Sequence, residues 1–304
     1  MVCTTSSPVK AVMRLAAILI AILIFSAWAA PLLFHVLPFE YEPILNRLIT
    51  VLTLAAVYVL YVRGRAKEVL LVGLSGTARM RWFVSGVLFG IFTLVFILFL
   101  EMLSGIRYWN INFSKYGPLV YFTKALATGI TVGVFEEWFF RGFLLKSFHR
   151  ALSMGWSIFW VNVFYAASHF IMVGNLQAGA RASFINSLKL IAGVYARHPE
   201  PITVVMGFVG LFIFGYFLTQ VFLKTGSLYL SMGWHTGLVT ALKYHSRLVG
   251  PLDTKWNWFW GDRHYYNGVV GWLCLLFCGF LLLKILGQIS WPKTKLNLSL
   301  KGKP

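Results

Sequence analysis

The chain has 304 residues, of which 59% are hydrophobic and only 12% are charged, and its mean hydropathy is +0.75. A soluble domain carries about 25% charged residues, so the composition excludes a soluble globular protein and indicates one that crosses the membrane several times. The net charge of +18 comes from basic residues that flank apolar runs rather than from one continuous basic face, which argues against nucleic-acid binding.

Apolar runs predict about eight membrane spans, because a hydrocarbon core of about 30 Å needs roughly 20 apolar residues per helix. The fourth run is longer than a span needs, and it is expected to continue past Arg141 as one long helix. Residues 182–196 predict a short helix lying on the membrane surface. The predicted fold class is all-α, a polytopic membrane helix bundle forming a single domain over 1–304. In chain order, the predicted spans lie near 12–37, 44–62, 82–103, 118–148, 155–173, 202–223, 226–246 and 268–289.

The distribution of Lys and Arg predicts the orientation of these spans. Basic residues concentrate near the N-terminus, in 63–81, after the fourth run and in the C-terminal tail, whereas the alternate loops carry Glu and Asp. Cytoplasmic loops are enriched in Lys and Arg, so both termini are expected in the cytoplasm. The first apolar run continues past Pro31, which predicts an uncleaved span rather than a signal peptide. Short loops favour a bacterial plasma membrane.

Glu136 and Glu137 stand side by side within the fourth apolar run of a chain that has only nine acidic residues. Carboxylates inside a membrane helix are costly, so the pair indicates a functional site. Residues four apart share a helix face, so Arg141 is expected to pair with Glu137. Glu136 points about 100° away around the helix and is the candidate general base.

Two histidines lie inside other predicted spans, His169 in the fifth and His235 in the seventh. A helical rise of 1.5 Å per residue puts both of them within about a turn and a half of the depth of Glu136. The sequence therefore permits one site built from Glu136, His169 and His235. Glu101 and His245, in contrast, lie near span ends and are expected to contact solvent.

Three short motifs carry a resemblance to a known family. They are Glu136-Glu137-x-x-x-Arg141, Tyr165-x-x-x-His169, and His235 preceded by Ser227-Leu228-Tyr229. In order and spacing they resemble the CAAX protease and bacteriocin-processing (CPBP) family of intramembrane proteases, which includes the type II CAAX prenyl endoproteases. The resemblance covers 118–245 and implies that this region is a catalytic core.

Two positions depart from the family pattern. Tyr165 stands where the family has Phe, and Val239 stands where it has Asn or Asp. In the family, the amide at the second position helps to bind the reacting carbonyl, a contact that the Val239 side chain cannot make. Asn162, seven residues before His169, and the Tyr165 hydroxyl are the candidate replacements.

The resemblance implies hydrolysis of a peptide bond in a membrane-anchored or lipidated protein, near its C-terminus. Glu136, His169 and His235 would be catalytic, and Glu137 with Arg141 would support them. A metal-free glutamate mechanism is favoured because no His-Glu-x-x-His motif occurs, but Glu136, His169 and His235 are also a candidate zinc set. Two other functions stay open, a non-catalytic binding or immunity-type protein and a proton-coupled transporter.

Overall fold

The computed structural model describes residues 8–36, 41–57, 59, 73–74, 79–113, 117–149, 152–170, 181–192, 201–250, 256–261 and 265–288. Among these residues the regular structure is helical, apart from one isolated antiparallel bridge between Trp109 and Val249. The prediction of an all-α membrane helix bundle is confirmed.

Every predicted span corresponds to a helix, although the helices differ in length. Within the described residues, five are long and apolar enough to cross a membrane: Ala16–Phe34, Arg79–Leu103, Pro118–His149, Ile202–Thr225 and Val269–Gln288. Helices α2, α6 and α9 have 17, 15 and 17 residues and rise roughly 23–26 Å, so the count of eight spans stays a prediction. The helices are α1 (Pro8–Phe34), α2 (Tyr41–Val57), α3 (Arg79–Leu103), α4 (Pro118–Glu137), a π-helix (Trp138–Leu144), α5 (Leu145–His149), α6 (Met154–Ser168), α7 (Phe184–Ala192), α8 (Pro201–Thr225), α9 (Tyr229–His245), α10 (Asn257–Trp260) and α11 (Val269–Gln288).

The chain forms two compact units. The first comprises 1–70, 150–153 and 167–204. In it, α1 packs against α2 and α7, and the hydroxyl groups of Tyr41 and Ser187 are hydrogen-bonded. Helix α7 lies within the predicted surface helix 182–196, whose residues after 192 are outside the described part of the chain.

The second unit comprises 71–149, 154–166 and 205–304, and its central contact joins α9 to α3. Gly86 and Gly90 of α3 lie against the backbone of α9, where Gly233 and Gly237 face them in turn. A Cβ atom at any of these four positions would overlap backbone atoms of the other helix. Pairs of small residues four apart let membrane helices approach closely, so this spacing explains the tight packing.

Helix α4 packs against another face of α9 by the same means. Gly129 lies against the Thr240 hydroxyl, and Gly133 lies against the backbone and hydroxyl of Thr236. With α3 and α4 both in close contact, the residues of α9 from Leu230 to Gly237 are all buried. His235 is therefore held on an enclosed helix.

The expectation that Glu101 and His245 contact solvent is wrong. Glu101 is fully buried and forms an ion pair with Arg107. Arg107 also donates to the Gly250 carbonyl at 3.3 Å, and its guanidinium lies 4.4 Å from the centre of the Tyr265 ring. His245 is buried too, with its ring centre 4.7 Å from that of Tyr265.

The physical reason is the loop after α3, which folds back over the end of α9. The Asn110 and Asn112 amides donate to the carbonyls of Leu248 and Arg247 at 2.9 and 2.8 Å. This short backbone ladder covers the helix end and encloses the Glu101 carboxylate, which is buried because it has a cationic partner.

Candidate active site

The two adjacent glutamates lie where α4 becomes a π-helix. The predicted long helix does continue to His149, but residues Trp138–Leu144 adopt π geometry directly after Glu137. Within that segment, Phe140, Arg141 and the three residues up to Leu144 are all buried. Short π segments inside α-helices are frequent at functional sites, and this one changes the direction of the side chains that follow the glutamates.

Glu137 and Arg141 form a fully buried ion pair. Arg141 Nη1 donates to Glu137 Oε1 at 2.7 Å, and neither side chain is exposed. The pair joins the end of α4 to the π-helix and gives the Glu137 carboxylate its compensating charge, without which burial would be very unfavourable.

Arg141 makes further contacts with α8 and α6. Its Nη2 donates to the Gly215 carbonyl at 2.8 Å, and its Nε donates to the Thr219 hydroxyl at 3.4 Å. The guanidinium carbon lies 4.5 Å from the centre of the Tyr165 ring, which is a cation–π distance. Arg141 therefore connects Glu137 to two neighbouring helices.

His235 lies between the two glutamates. Its Nδ1 is 3.1 Å from Glu137 Oε1, and its Nε2 is 4.0 Å from Glu136 Oε2. A carboxylate only accepts hydrogen bonds, so the contact with Glu137 requires a proton on Nδ1. With Nδ1 against Glu137, the Nε2 atom on the other side of the ring faces Glu136. The edges of the Tyr165 and Phe214 rings pack against the imidazole, with centroid separations of 6.0 and 5.5 Å.

Glu136 differs from Glu137 in its exposure. Its side chain is 24% exposed, whereas that of Glu137 is fully buried. The 4.0 Å between Glu136 Oε2 and His235 Nε2 is too long for a direct hydrogen bond. A partly exposed carboxylate and a ring nitrogen directed at the same space can act together on one reacting group.

Asn162 and Tyr165 both lie around Arg141. Asn162 Nδ2 donates to the Ile158 carbonyl at 2.8 Å, and its Oδ1 accepts from the Thr219 hydroxyl at 3.3 Å. Tyr165 is fully buried against the guanidinium. Val239, one turn beyond His235 on α9, is partly buried and has no polar group to offer.

His169 follows the last residue of α6 and is partly buried. It belongs to the first compact unit, whereas Glu136 and His235 belong to the second, so its distance from them stays a prediction. Among the described residues, no three His, Cys, Asp or Glu side chains are grouped to hold a metal ion. The zinc set Glu136, His169 and His235 also stays a prediction, and no chemical step is derived through a metal.

Sequence reasoning missed the contribution of α8. Phe214, Gly215 and Thr219 all contact the charged groups or the imidazole of the site. Gly215 and Thr219 are four residues apart, and that small-residue spacing is the signal in the sequence that could have identified them.

The comparisons with known proteins agree with the motifs. The family model described as "Type II CAAX prenyl endopeptidase Rce1-like" matches residues 118–241. No curated protein and no solved structure matches the chain. The matched region contains Glu136, Glu137, Arg141, His169 and His235, and such a family is one of intramembrane endopeptidases in general. Residues 118–241 thus match the model of the Rce1-like type II CAAX prenyl endopeptidase family, in agreement with the resemblance of the three motifs.

Proposed function

We propose that this chain is an intramembrane endopeptidase in which Glu136 activates the attacking water. The observation that carries the proposal is the pairing of Glu136 Oε2 with His235 Nε2 across 4.0 Å, beside a buried Glu137–Arg141 ion pair. One carboxylate is neutralised and enclosed, whereas the side chain of the other is 24% exposed. That division suits a general base supported by a fixed charge.

Hydrolysis at this site needs one water and one proton shuttle. Glu136 takes a proton from the water as its oxygen attacks the peptide carbonyl carbon, which leaves a tetrahedral oxyanion. Glu136 then gives that proton to the amide nitrogen, and the C–N bond breaks to release an amine and a carboxylic acid. A positioned general base contributes about 10²–10⁴-fold to such a reaction.

His235 stabilises the oxyanion in this proposal. Its Nδ1 proton is engaged with Glu137, so the ring carries a second proton, on Nε2, when it donates to the oxyanion. One such donor is worth about 10²–10³-fold in other hydrolases. His169 is proposed, from the family resemblance, to hold the water together with Glu136.

The substrate proposed is a membrane-anchored or lipidated protein cleaved near its C-terminus, in a bacterial plasma membrane where both termini of the enzyme are cytoplasmic. The match to a CAAX endopeptidase family supports a C-terminal cleavage site. The apolar helices that enclose the glutamates support a substrate that is itself in the bilayer.

Comparative proteomics of C-termini tests this function. Membranes from cells that express the wild type are compared with membranes from cells that express Glu136→Ala at the same level. New C-termini that depend on Glu136 are expected in a small set of membrane-anchored proteins. If no C-terminus differs between the two samples, the protease proposal fails.

The metal question has a separate test. The glutamate mechanism predicts that micromolar phenanthroline leaves cleavage unchanged. Loss of cleavage on chelation, with recovery on addition of zinc, would overturn the metal-free proposal and favour a site that includes Glu136, His169 and His235 as ligands.

One observation favours a second function. Val239 has no donor where the family has an amide, which is consistent with a binding protein that no longer cleaves. In that case Glu136→Gln would retain the biological function of the chain, because binding does not need a general base.

A further inference from the structure

Two residues of α8, Gly215 and Thr219, meet Arg141 on the side opposite Glu137. The Gly215 carbonyl accepts from Nη2 at 2.8 Å, and the Thr219 hydroxyl accepts from Nε at 3.4 Å. The Thr219 hydroxyl has one proton of its own, which it can give to the Gly215 carbonyl at 2.9 Å or to Asn162 Oδ1 at 3.3 Å. Arg141 is thus held at both edges of its guanidinium plane.

Gly215 is required for this close approach. A Cβ atom there would lie 2.7 Å from Tyr165 Cδ1, 2.8 Å from Asn162 Oδ1 and 3.1 Å from Arg141 Nη2. Any larger residue would push α8 away from α6 and lengthen the hydrogen bond from Arg141. The glycine lets the backbone of α8 serve directly as an acceptor.

The contacts continue from Arg141 into the site. Arg141 Nη1 donates to Glu137 Oε1, and the same oxygen receives the His235 Nδ1 proton at 3.1 Å. The position of Oε1 therefore determines which ring nitrogen of His235 carries a proton and which one faces Glu136. A long Arg side chain pairs with a carboxylate in many geometries. The hydrogen bonds from Arg141 to Gly215 and Thr219 of α8 select the geometry seen here.

We propose that Thr219 and Gly215 are positioning residues that, through Arg141 and Glu137, hold His235 with its Nδ1 proton directed at Glu137 and its Nε2 facing Glu136. Neither residue touches the space between Glu136 and His235. Their effect on catalysis rests on the proposed function, whereas their effect on the imidazole does not. A displaced imidazole would slow the chemical step and leave substrate binding nearly unchanged, because only the geometry of the reacting groups is altered.

Thr219→Val tests the proposal because valine keeps the shape of threonine and removes its hydroxyl. Thr219→Ser keeps the hydroxyl. Thr225→Val is the matched control on the same helix: Thr225 is also buried and donates to the carbonyls of Val221 and Ser227, away from the site. Each protein is purified, and cleavage rates are divided by the folded fraction.

Thr219→Val is expected to lower kcat about 10-fold or more with KM within about two-fold of the wild type. Thr219→Ser is expected to recover most of that loss, and Thr225→Val is expected to keep the wild-type kcat. Equal kcat for Thr219→Val and Thr225→Val would overturn the positioning role, and so would a change confined to KM.

Nitrogen-15 NMR of the histidines gives a readout that does not need a substrate. At a pH where the His235 ring is neutral, the wild type, Thr219→Ser and Thr225→Val are expected to show its proton on Nδ1, and Thr219→Val to show a mixture of tautomers. An unchanged His235 spectrum in Thr219→Val would overturn the proposal. If the expected spectra are found but neither the wild type nor any variant cleaves a peptide, the positioning role stands and the proposed function fails.

Discussion

Two adjacent carboxylates with identical chemistry have different surroundings in this protein. Glu137 is fully enclosed and accepts from Arg141 and His235, whereas the Glu136 side chain is 24% exposed. An enclosed carboxylate that is paired with a guanidinium suits a structural role. A partly exposed carboxylate suits contact with a substrate. The stability of the protein should therefore depend on Glu137, whereas Glu136 should affect activity without affecting stability.

Glu137→Gln is expected to destabilise the protein, because Arg141 would stay buried without a counter-charge. Loss of one partner of a buried pair costs about 3–5 kcal/mol. Glu136→Gln is the matched control, and its free energy of unfolding is expected to stay within about 0.5 kcal/mol of the wild type. Unfolding in mixed detergent micelles measures both. Equal losses of stability in Glu137→Gln and Glu136→Gln would contradict a stabilising role for Glu137 alone.

The charged residues of the candidate site could be predicted from the sequence, whereas the uncharged residues that contact them could not. Charge in an apolar run is costly wherever it occurs, so Glu136 and Glu137 were identifiable without a structure. The contacts of Arg141 with Gly215 and Thr219 were not, because these residues are more than 70 positions away and neither is charged. The burial of Glu101 could not be predicted for a similar reason, since it depends on the loop after α3 folding back against Arg247 and Leu248, which are more than 100 positions away.

At the scale of elements, glycines determine which helices surround His235. Helix α9 meets α3 at Gly86 and Gly90 and meets α4 at Gly129 and Gly133. Because lipid tails are as apolar as leucine, close van der Waals packing rather than hydrophobic burial holds such helices together. Gly129 and Gly133 therefore fix the distance between α4, which carries the glutamates, and α9, which carries the histidine, and Gly86 and Gly90 fix the distance between α3 and α9.

Gly90→Val is expected to separate α3 from α9, because its side chain would occupy the space of the Trp234 carbonyl and the Leu238 amide. Overpacking of this kind costs about 1–3 kcal/mol or more. A fall in the thermal unfolding temperature measures it. Gly155→Ala is the control, since a Cβ atom there meets nothing within 4 Å. Unfolding of Gly90→Val at the wild-type temperature would contradict the packing described.

The π-helix could not be predicted from the periodicity of the sequence. The spacing of four between Glu137 and Arg141 predicts a shared face on an α-helix, and the two residues do meet. Their contact is made across the start of the π-helix, in which Phe140–Leu144 are all buried. Tertiary contacts of this kind leave no periodic signal in a single sequence.

At the scale of the whole molecule, the second compact unit contains every site residue except His169. Five helices in the described part of the chain are long and apolar enough to cross a bilayer, so the chain is an integral membrane protein. The charge pattern further predicts that the loop after α3 lies outside the cytoplasm and the loop before α6 lies inside.

Cysteine labelling tests that orientation. The three native cysteines are replaced by alanine, and Ser104 or Ser153, both exposed at loop positions, is changed to cysteine. A membrane-impermeant maleimide applied to intact cells is expected to label Ser104→Cys at once and Ser153→Cys only after permeabilisation. The opposite labelling pattern would reverse the predicted orientation of both termini.

The central claim is that Glu136 is the base that activates water, and the most direct measurement is the cleavage rate of a reconstituted enzyme. Wild type and Glu136→Gln are placed in lipid bilayers with a membrane-anchored peptide taken from a C-terminus that changes in cells. Glu136→Gln is expected to cleave at least about 10²-fold more slowly while it unfolds at the wild-type temperature. Cleavage by Glu136→Gln at the wild-type rate would contradict the account.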